Sequence, residues 1–204
     1  MNKKGLFITF EGADGCGKTT QINLLNNYLK EKNYKTHITL EPGGSDIGKS
    51  LRQILLHHDG FVSPRAEMYM YLADRAQHID AVILKNVNDG KIVLCDRHID
   101  STVAYQGYAR GENIEQINLL NDIATNNIKP DITFLFDVDS NIAQQRVGET
   151  KDRLEAEGLE FHKKVRFGYL ELAKKYPNRI KIIDANKTID EVFEQVKKNI
   201  DEIL

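Results

Sequence analysis

The chain reads as an α/β protein built on a parallel sheet of five strands with helices on both faces, a three-layer arrangement. Three observations predict this. Short apolar runs of strand length alternate with helix-length segments from one end to the other. The runs are continuously apolar, the pattern of strands covered on both faces. A glycine-rich loop joins the first run directly to the first helical segment, and strand–glycine loop–helix is a parallel-sheet connection.

Leu6-Phe7-Ile8-Thr9-Phe10 is the first strand, and after the loop Ile22, Leu24, Leu25, Tyr28 and Leu29 mark one face of a helix. Thr36-His37-Ile38-Thr39-Leu40 is the second strand, closed by a Glu-Pro-Gly-Gly turn at 41–44. A helix follows with Ile47, Leu51, Ile54 and Leu55 on one face. Ser63-Pro64 supplies an N-cap and a first-turn proline. They open a long helix through Met68, Tyr71, Leu72, Ala76, Ile79, Val82 and Ile83, ended by Asp89-Gly90. Ile92–Cys95, Ile132–Phe136 and Ile180–Ile183 are the remaining strands, and Val192, Phe193, Val196 and Ile200 line a last helix. No repeat, low-complexity segment or Pro/Gly-rich linker interrupts this order, so residues 1–204 are expected to form one domain.

Composition narrows the function classes. A chain of 204 residues with 28% charged and 41% hydrophobic residues can bury a real core and is ordinary for a soluble protein. A net charge of −2 gives no reason to expect nucleic acid or a membrane surface as partner. No apolar run approaches the roughly 20 residues that span a bilayer. Met1-Asn2-Lys3-Lys4-Gly5 leads straight into the first strand without a signal-peptide pattern. Cys16 and Cys95 are too few for a disulfide framework or a Cys-rich zinc site. The expected compartment is the cytoplasm, with both cysteines as free thiols. Cys16 lies inside the loop, so its alkylation is expected to block nucleotide binding.

The loop carries the chemistry. Gly12-Ala13-Asp14-Gly15-Cys16-Gly17-Lys18-Thr19 fits G-x-x-x-x-G-K-[ST], and Thr20 continues it into the helix. Consecutive backbone N–H groups and a helix N-terminus point at an anion there. Lys18 adds a mobile charge for the β/γ-phosphates of ATP, and Thr19 offers a hydroxyl to Mg²⁺. Ligands of such sheets bind at the carboxyl ends of the strands. That rule brings Glu41 and Asp96-Arg97-His98 to the same edge as the loop. Asp96 is the candidate for holding Mg²⁺, and Arg97 offers a planar fork for a second phosphate. A tight turn and a surface ion pair would give the same residues a plainer role.

Tyr71 and Arg75 stand four apart on one helix face, so an aromatic ring and a guanidinium could meet a base together. By pattern alone a core tyrosine and a solvated rim arginine are the plainer reading, and they outweigh the functional one. Gln106, which can donate and accept, suits the edge of a pyrimidine. Arg146, Lys151 and Arg153 flank the loop Gly148-Glu149-Thr150 and could close over a transferring phosphate as a lid. Interleaved acids (Asp152, Glu155, Glu157, Glu160) make an ion-paired solvated helix the alternative. Asn186-Lys187-Thr188-Ile189-Asp190 imitates a guanine-reading N-K-x-D, but its aspartate is one residue late and the segment reads as a helix N-cap.

Taken in order, Phe10-Glu11-Gly12 through Thr20, Glu41-Pro42-Gly43-Gly44, Asp96-Arg97-His98, Ala104-Tyr105-Gln106-Gly107 and Asp152-Arg153-Leu154 resemble the thymidylate kinase family over nearly the whole chain. The resemblance implies a P-loop fold like that of nucleoside monophosphate kinases. It implies transfer of the γ-phosphoryl of MgATP to dTMP, giving dTDP in dTTP synthesis, by a homodimer. It further implies that Tyr71 stacks on thymine, Arg75 and Gln106 address its edge with Thr102 nearby, and Tyr105 crowds the sugar 2′ position. Arg52 and Arg97 would hold the acceptor phosphate, Asp96 and Glu41 would help place Mg²⁺, and Asp14 would lie near the deoxyribose or the acceptor phosphate. Some members carry arginine right after the loop aspartate. Gly15 stands there, so the chain resembles the type whose catalytic cation comes from the lid (about residues 146–156). Arg153 is at the expected position, with Arg146 and Lys151 as neighbours. Leu40 replaces an arginine common in bacterial members, so the resemblance implies either a missing phosphate contact or a larger load on another residue, Arg52 first.

Overall fold

The computed structural model describes residues 5–146 and 152–204. Gly148, Glu149, Thr150 and Lys151, part of the expected lid, therefore lie outside the described residues. The strands are β1 (Phe7–Glu11), β2 (Thr36–Leu40), β3 (Ile92–Asp96), β4 (Ile132–Asp137) and β5 (Ile180–Asp184). They form one five-stranded sheet in the order β2-β3-β1-β4-β5, and every neighbouring pair is parallel. The expected fold class is the observed one.

Both faces of the sheet are covered. On one, Leu25 and Leu29 of α1 (Lys18–Glu31) and Val192, Val196 and Ile200 of α9 (Ile189–Asp201) pack with Ile8, Phe10, Phe134 and Phe136. On the other, α3 (Pro64–His78) and α8 (Leu159–Lys175) bring Met68, Leu72, Val165, Tyr169 and Leu172 against Leu135. Each fully buried phenylalanine or leucine contributes roughly 1.5–3 kcal/mol, so these two layers hold the strand ends in register. Ser63 caps α3 by accepting from Ala66 N, with Pro64 in the first turn. Thr188 and Glu191 form a capping box at the start of α9, which gives the N-K-x-D look-alike its structural role.

Two features depart from the pattern. In α2 (Asp46–His57), Leu55 is buried, but Ile47 and Ile54 are 58% and 46% exposed. The helix seats Gly48, Leu55 and Leu56 inward, which turns the Ile47–Ile54 edge outward. Second, the long helix is not uniform. A π-helical turn, Ile79–Ile83, separates α3 from α4 (Leu84–Asn88). Another, Val103–Ala109, follows α5 (Ile99–Thr102) and precedes α6 (Ile114–Ala124). Widened turns of this kind are frequent at functional sites, and the second one carries Tyr105 and Gln106. Among the described residues no helix is long and apolar enough to cross a membrane.

Candidate active site

The loop after β1 is shaped by its glycines. Gly12 has φ +139°, and a Cβ there would stand 2.6 Å from the Phe136 carbonyl oxygen. Gly15 has φ +77°, and a Cβ would meet the Ala143 carbonyl at 2.3 Å and the Arg146 Cβ at 3.2 Å. The missing side chain at Gly15 is thus the space into which α7 (Ser140–Arg146) packs. Lys18 Nζ curls over the loop and donates to the carbonyls of Gly12 at 3.2 Å and Ala13 at 3.1 Å. Cys16 is buried, and burial pushes its thiol up. Both burial and the raised thiol make Cys16 a slow target for alkylation.

Two cavities meet at this sheet edge. One, about 970 Å³, is a phosphate cleft lined by Gly15, Gly17, Lys18, Thr19, Thr20, Asp96 and Arg146 among others. The other, about 630 Å³, is walled by Tyr71, Arg75, Thr102, Tyr105 and Gln106. Asp14, Glu41, Arg52 and Arg97 line both.

Arg97 stands at the junction. Its backbone is left-handed, φ +68°, a conformation that costs a non-glycine residue about 1–3 kcal/mol. Surrounding contacts impose it. Arg97 N donates to the Phe10 carbonyl, the Cys95 thiol donates to the Arg97 carbonyl, and His98 N donates to Glu11 Oε1 at 2.7 Å. The guanidinium donates to Asp14 Oδ1 at 2.5 Å, to Tyr169 Oη at 3.1 Å and to Ser101 Oγ at 3.3 Å. The Tyr105 hydroxyl donates to Asp14 Oδ2 at 3.2 Å. Burial alone would raise the Asp14 pKa, but Arg97 and Lys18 outweigh it and hold the carboxyl well below its usual range.

Glu11, which pattern and spacing did not single out, anchors this arrangement. It is fully buried and accepts from Ser101 Oγ at 2.6 Å and Tyr169 Oη at 3.0 Å as well as from His98 N. Burial, with help from the nearby Asp100 charge, pushes its carboxyl up to about 7.

Arg75 is only 1% exposed, and four of its five N–H groups are taken. Nε donates to Glu41 Oε2 at 2.9 Å, Nη1 to Thr102 Oγ1 at 2.8 Å and Asn121 Oδ1 at 2.7 Å, and Nη2 to the His98 carbonyl at 3.0 Å. One Nη2 hydrogen is left for a ligand. The reading of Arg75 as a solvated rim residue is overturned. Glu41 is committed as well, since His78 Nδ1 lies 2.9 Å from its Oε1. Burial would raise the Glu41 pKa, but His98, Arg75 and His78 bring it down to about 2. With a partner on each oxygen, Glu41 braces Arg75 while it also borders the cleft. Asp96 differs: its Oδ1 is buried and has no hydrogen-bond partner.

The two basic residues that flank the expected lid loop part company. Arg146 lines the phosphate cleft, with Nη1 donating to the Ala185 carbonyl at 3.3 Å. Arg153 is held elsewhere. Its Nε donates to the Leu55 carbonyl at 2.9 Å, its backbone N to the Leu56 carbonyl, and Nη2 lies 2.6 Å from Glu67 Oε2. The carbonyls of the last turn of α2, which no further turn of helix takes up, and a buried carboxylate account for this docking. Of these two arginines, Arg146 borders the cleft, and Arg153 is held by Leu55, Leu56 and Glu67. Arg52 donates to the Pro42 carbonyl at 2.8 Å and borders both cavities, with Leu40 in the cleft wall beside it.

Comparison with known proteins agrees with this geometry. Residues 10–196 match the family model described as thymidylate kinase. The chain belongs to the thymidylate kinase family. It is 46% identical over 194 residues to the thymidylate kinase of Thermoanaerobacter sp. (strain X514), covering 95% of this chain and 96% of that one. It is 44% identical over 202 residues to that of Clostridium novyi (strain NT), covering 97% and 98%. The crystal structure of thymidylate kinase from Ehrlichia chaffeensis superposes with a TM-score of 0.80 at 37% identity, over 97% of this chain and 99% of that chain.

Proposed function

We propose that ATP occupies the phosphate cleft and dTMP the neighbouring pocket, and that the γ-phosphoryl group crosses between them at Asp14 and Arg97 to give dTDP and ADP. The observation that carries this reading is the shared wall, since Asp14, Glu41, Arg52 and Arg97 border both cavities. Phosphoryl transfer needs positioning and charge neutralisation above all. The amides of Gly12–Thr20 and Lys18 hold the donor phosphates. Arg97 and Arg52 take the acceptor phosphate. Tyr71 stacks on thymine, Arg75 and Gln106 face its edge, Thr102 steadies Arg75, and Tyr105 packs on the sugar. Arg146 neutralises developing charge from a lid of about residues 146–156, within a single domain of 1–204.

Asp96 and Thr19 suit Mg²⁺, because an unpartnered buried carboxylate oxygen and a hydroxyl line the same cleft. A bound cation there supplies charge neutralisation at the donor phosphates. The enzyme works in the cytoplasm as a homodimer. Ile47, Ile54, Tyr69, Leu119 and Ile123 expose apolar surface on α2, α3 and α6, and α3 packs against both other helices. Sedimentation should give twice the chain mass of 23.3 kDa; a monomer at micromolar concentration refutes the dimer.

ADP release with MgATP across dTMP, dUMP, CMP, AMP and dGMP tests the reaction. Strong turnover with dTMP supports it, and ATP hydrolysis independent of any acceptor overturns it.

A further inference from the structure

Glu67 stands behind the acceptor pocket, not in its wall. It is 1% exposed on α3, one helical turn before Tyr71. Its Oε1 accepts from Gln106 Nε2 at 2.7 Å and its Oε2 faces Arg153 Nη2 at 2.6 Å. Arg110 adds a second guanidinium, with Nε 3.4 Å from Oε1. The groups that face its two oxygens all carry N–H donors, so Glu67 serves here as an acceptor. That fixes the sense of the Gln106 amide. If the amide turned over, two acceptor oxygens would face each other in a buried site, at the full cost of leaving both unpaired. The Gln106 nitrogen is therefore committed to Glu67. Its carbonyl oxygen accepts from no group among the described residues, and Gln106 lines the pocket.

We infer that Glu67 is a specificity-determining positioning residue: by holding the nitrogen of Gln106, it makes the pocket present a hydrogen-bond acceptor to the base. Arg75 lines the same pocket, and its remaining Nη2 hydrogen is the donor it has to offer there. A donor and an acceptor together complement a pyrimidine that offers a carbonyl and a ring N–H, as thymine and uracil do. Cytosine offers the reverse pair, a ring nitrogen that accepts and an amine that donates, and it leaves both protein groups unpaired. Glu67 thus sets selection for thymine and uracil over cytosine without touching the base, and it does not distinguish dTMP from dUMP.

This inference rests on dTMP binding in the acceptor pocket, so the test separates the two. Wild-type enzyme is first assayed with dTMP and dCMP. No turnover of dTMP would break the proposed function itself. Glu67→Gln is nearly isosteric and can either donate or accept, which frees the Gln106 amide to turn. The ratio of kcat/KM for dTMP over dCMP should fall by roughly tenfold or more. Arg153→Ala removes the lid contact to Glu67 but leaves the Gln106 bond, so its ratio should stay at the wild-type value. An unchanged ratio in Glu67→Gln, or an equal fall in Arg153→Ala, overturns the inference. Should Glu67→Gln fail to fold, the wild-type protein still decides. The side-chain amide protons of Gln106 should exchange slowly by NMR, and exchange as fast as at an exposed glutamine overturns the assignment.

Discussion

Where the phosphate cleft takes its donors from the consecutive residues 12–20, the acceptor pocket draws on side chains scattered from Asp14 to Glu155. The cleft is made mostly of backbone, which glycines let approach a ligand. The pocket is made of buried polar and charged side chains, each held by others: Arg75 by Glu41, Thr102, Asn121 and the His98 carbonyl, and Gln106 by Glu67. Backbone donors cost no side-chain ordering and leave no orphan when a neighbour changes. A buried polar network is strong when every member is satisfied and costly when one is lost. The cleft should therefore fail in rate, and the pocket in stability as well as affinity.

Lys18→Met should show the largest effect and the purest rate loss. A fall in kcat/KM for MgATP of roughly 10³-fold is expected, with dTMP affinity by calorimetry and the melting temperature little changed. A large drop in melting temperature would break the contrast. Arg75→Met should do the opposite. It strands the buried Glu41 carboxylate, so urea unfolding should show a loss of about 3–5 kcal/mol, accompanied by weaker dTMP binding. A variant as stable as wild type would show that the network is not what holds the pocket. Arg146→Ala sharpens the comparison at the lid. It should lower kcat by about 10²-fold with little change in dTMP KM. Arg153→Ala should cost less in kcat, and the reverse ranking would return the catalytic role to Arg153.

The smallest effect concerns pH. The folded Glu11 carboxyl titrates near 7 against a usual 4.5. Between those values the folded protein holds a proton that the unfolded chain has lost, so this group makes stability fall as pH rises through the window. Glu11→Gln keeps the shape and the bond from His98 N but removes the titration. The melting temperature of wild type relative to the variant should therefore decline between about pH 5 and pH 7. A constant difference across that range would show that Glu11 is not strained by its burial.

The same contrast decides what could be seen in advance. The loop, the strand-end residues Asp96 and Arg97, and the Ser63-Pro64 and Thr188 caps are local patterns, and each stands where its spacing puts it. Glu11 and Tyr169 meet across 158 positions of chain, a pairing no window of sequence contains. A signal did exist on α3. Glu67, Tyr71, Arg75 and His78 fall on one helical face, a polar stripe in a helix that must pack against a sheet, and such a stripe asks for buried partners. Arg146 and Arg153 could not be ranked, because both flank the same short loop. Only the carbonyls of Leu55 and Leu56 and the carboxylate of Glu67 separate them. Ile47 and Ile54 carry the periodicity of a core face. Periodicity alone does not say whether the surface that covers a face belongs to the same chain.

The bond between Asp14 and Arg97 has a consequence for how the two substrates sense one another. Asp14 is part of the donor loop, and Arg97 is the cation that an acceptor phosphate would claim. An acceptor that draws Arg97 toward itself leaves a barer negative charge among the donor phosphates, and one that stays clear of Arg97 does not. Thermodynamic linkage makes any such influence mutual: whatever factor dTMP imposes on ATP affinity, ATP imposes on dTMP. On the proposed placement of the substrates, Asp14 is one point at which the occupancy of one cavity would be felt in the other, with no moving domain required to carry the message.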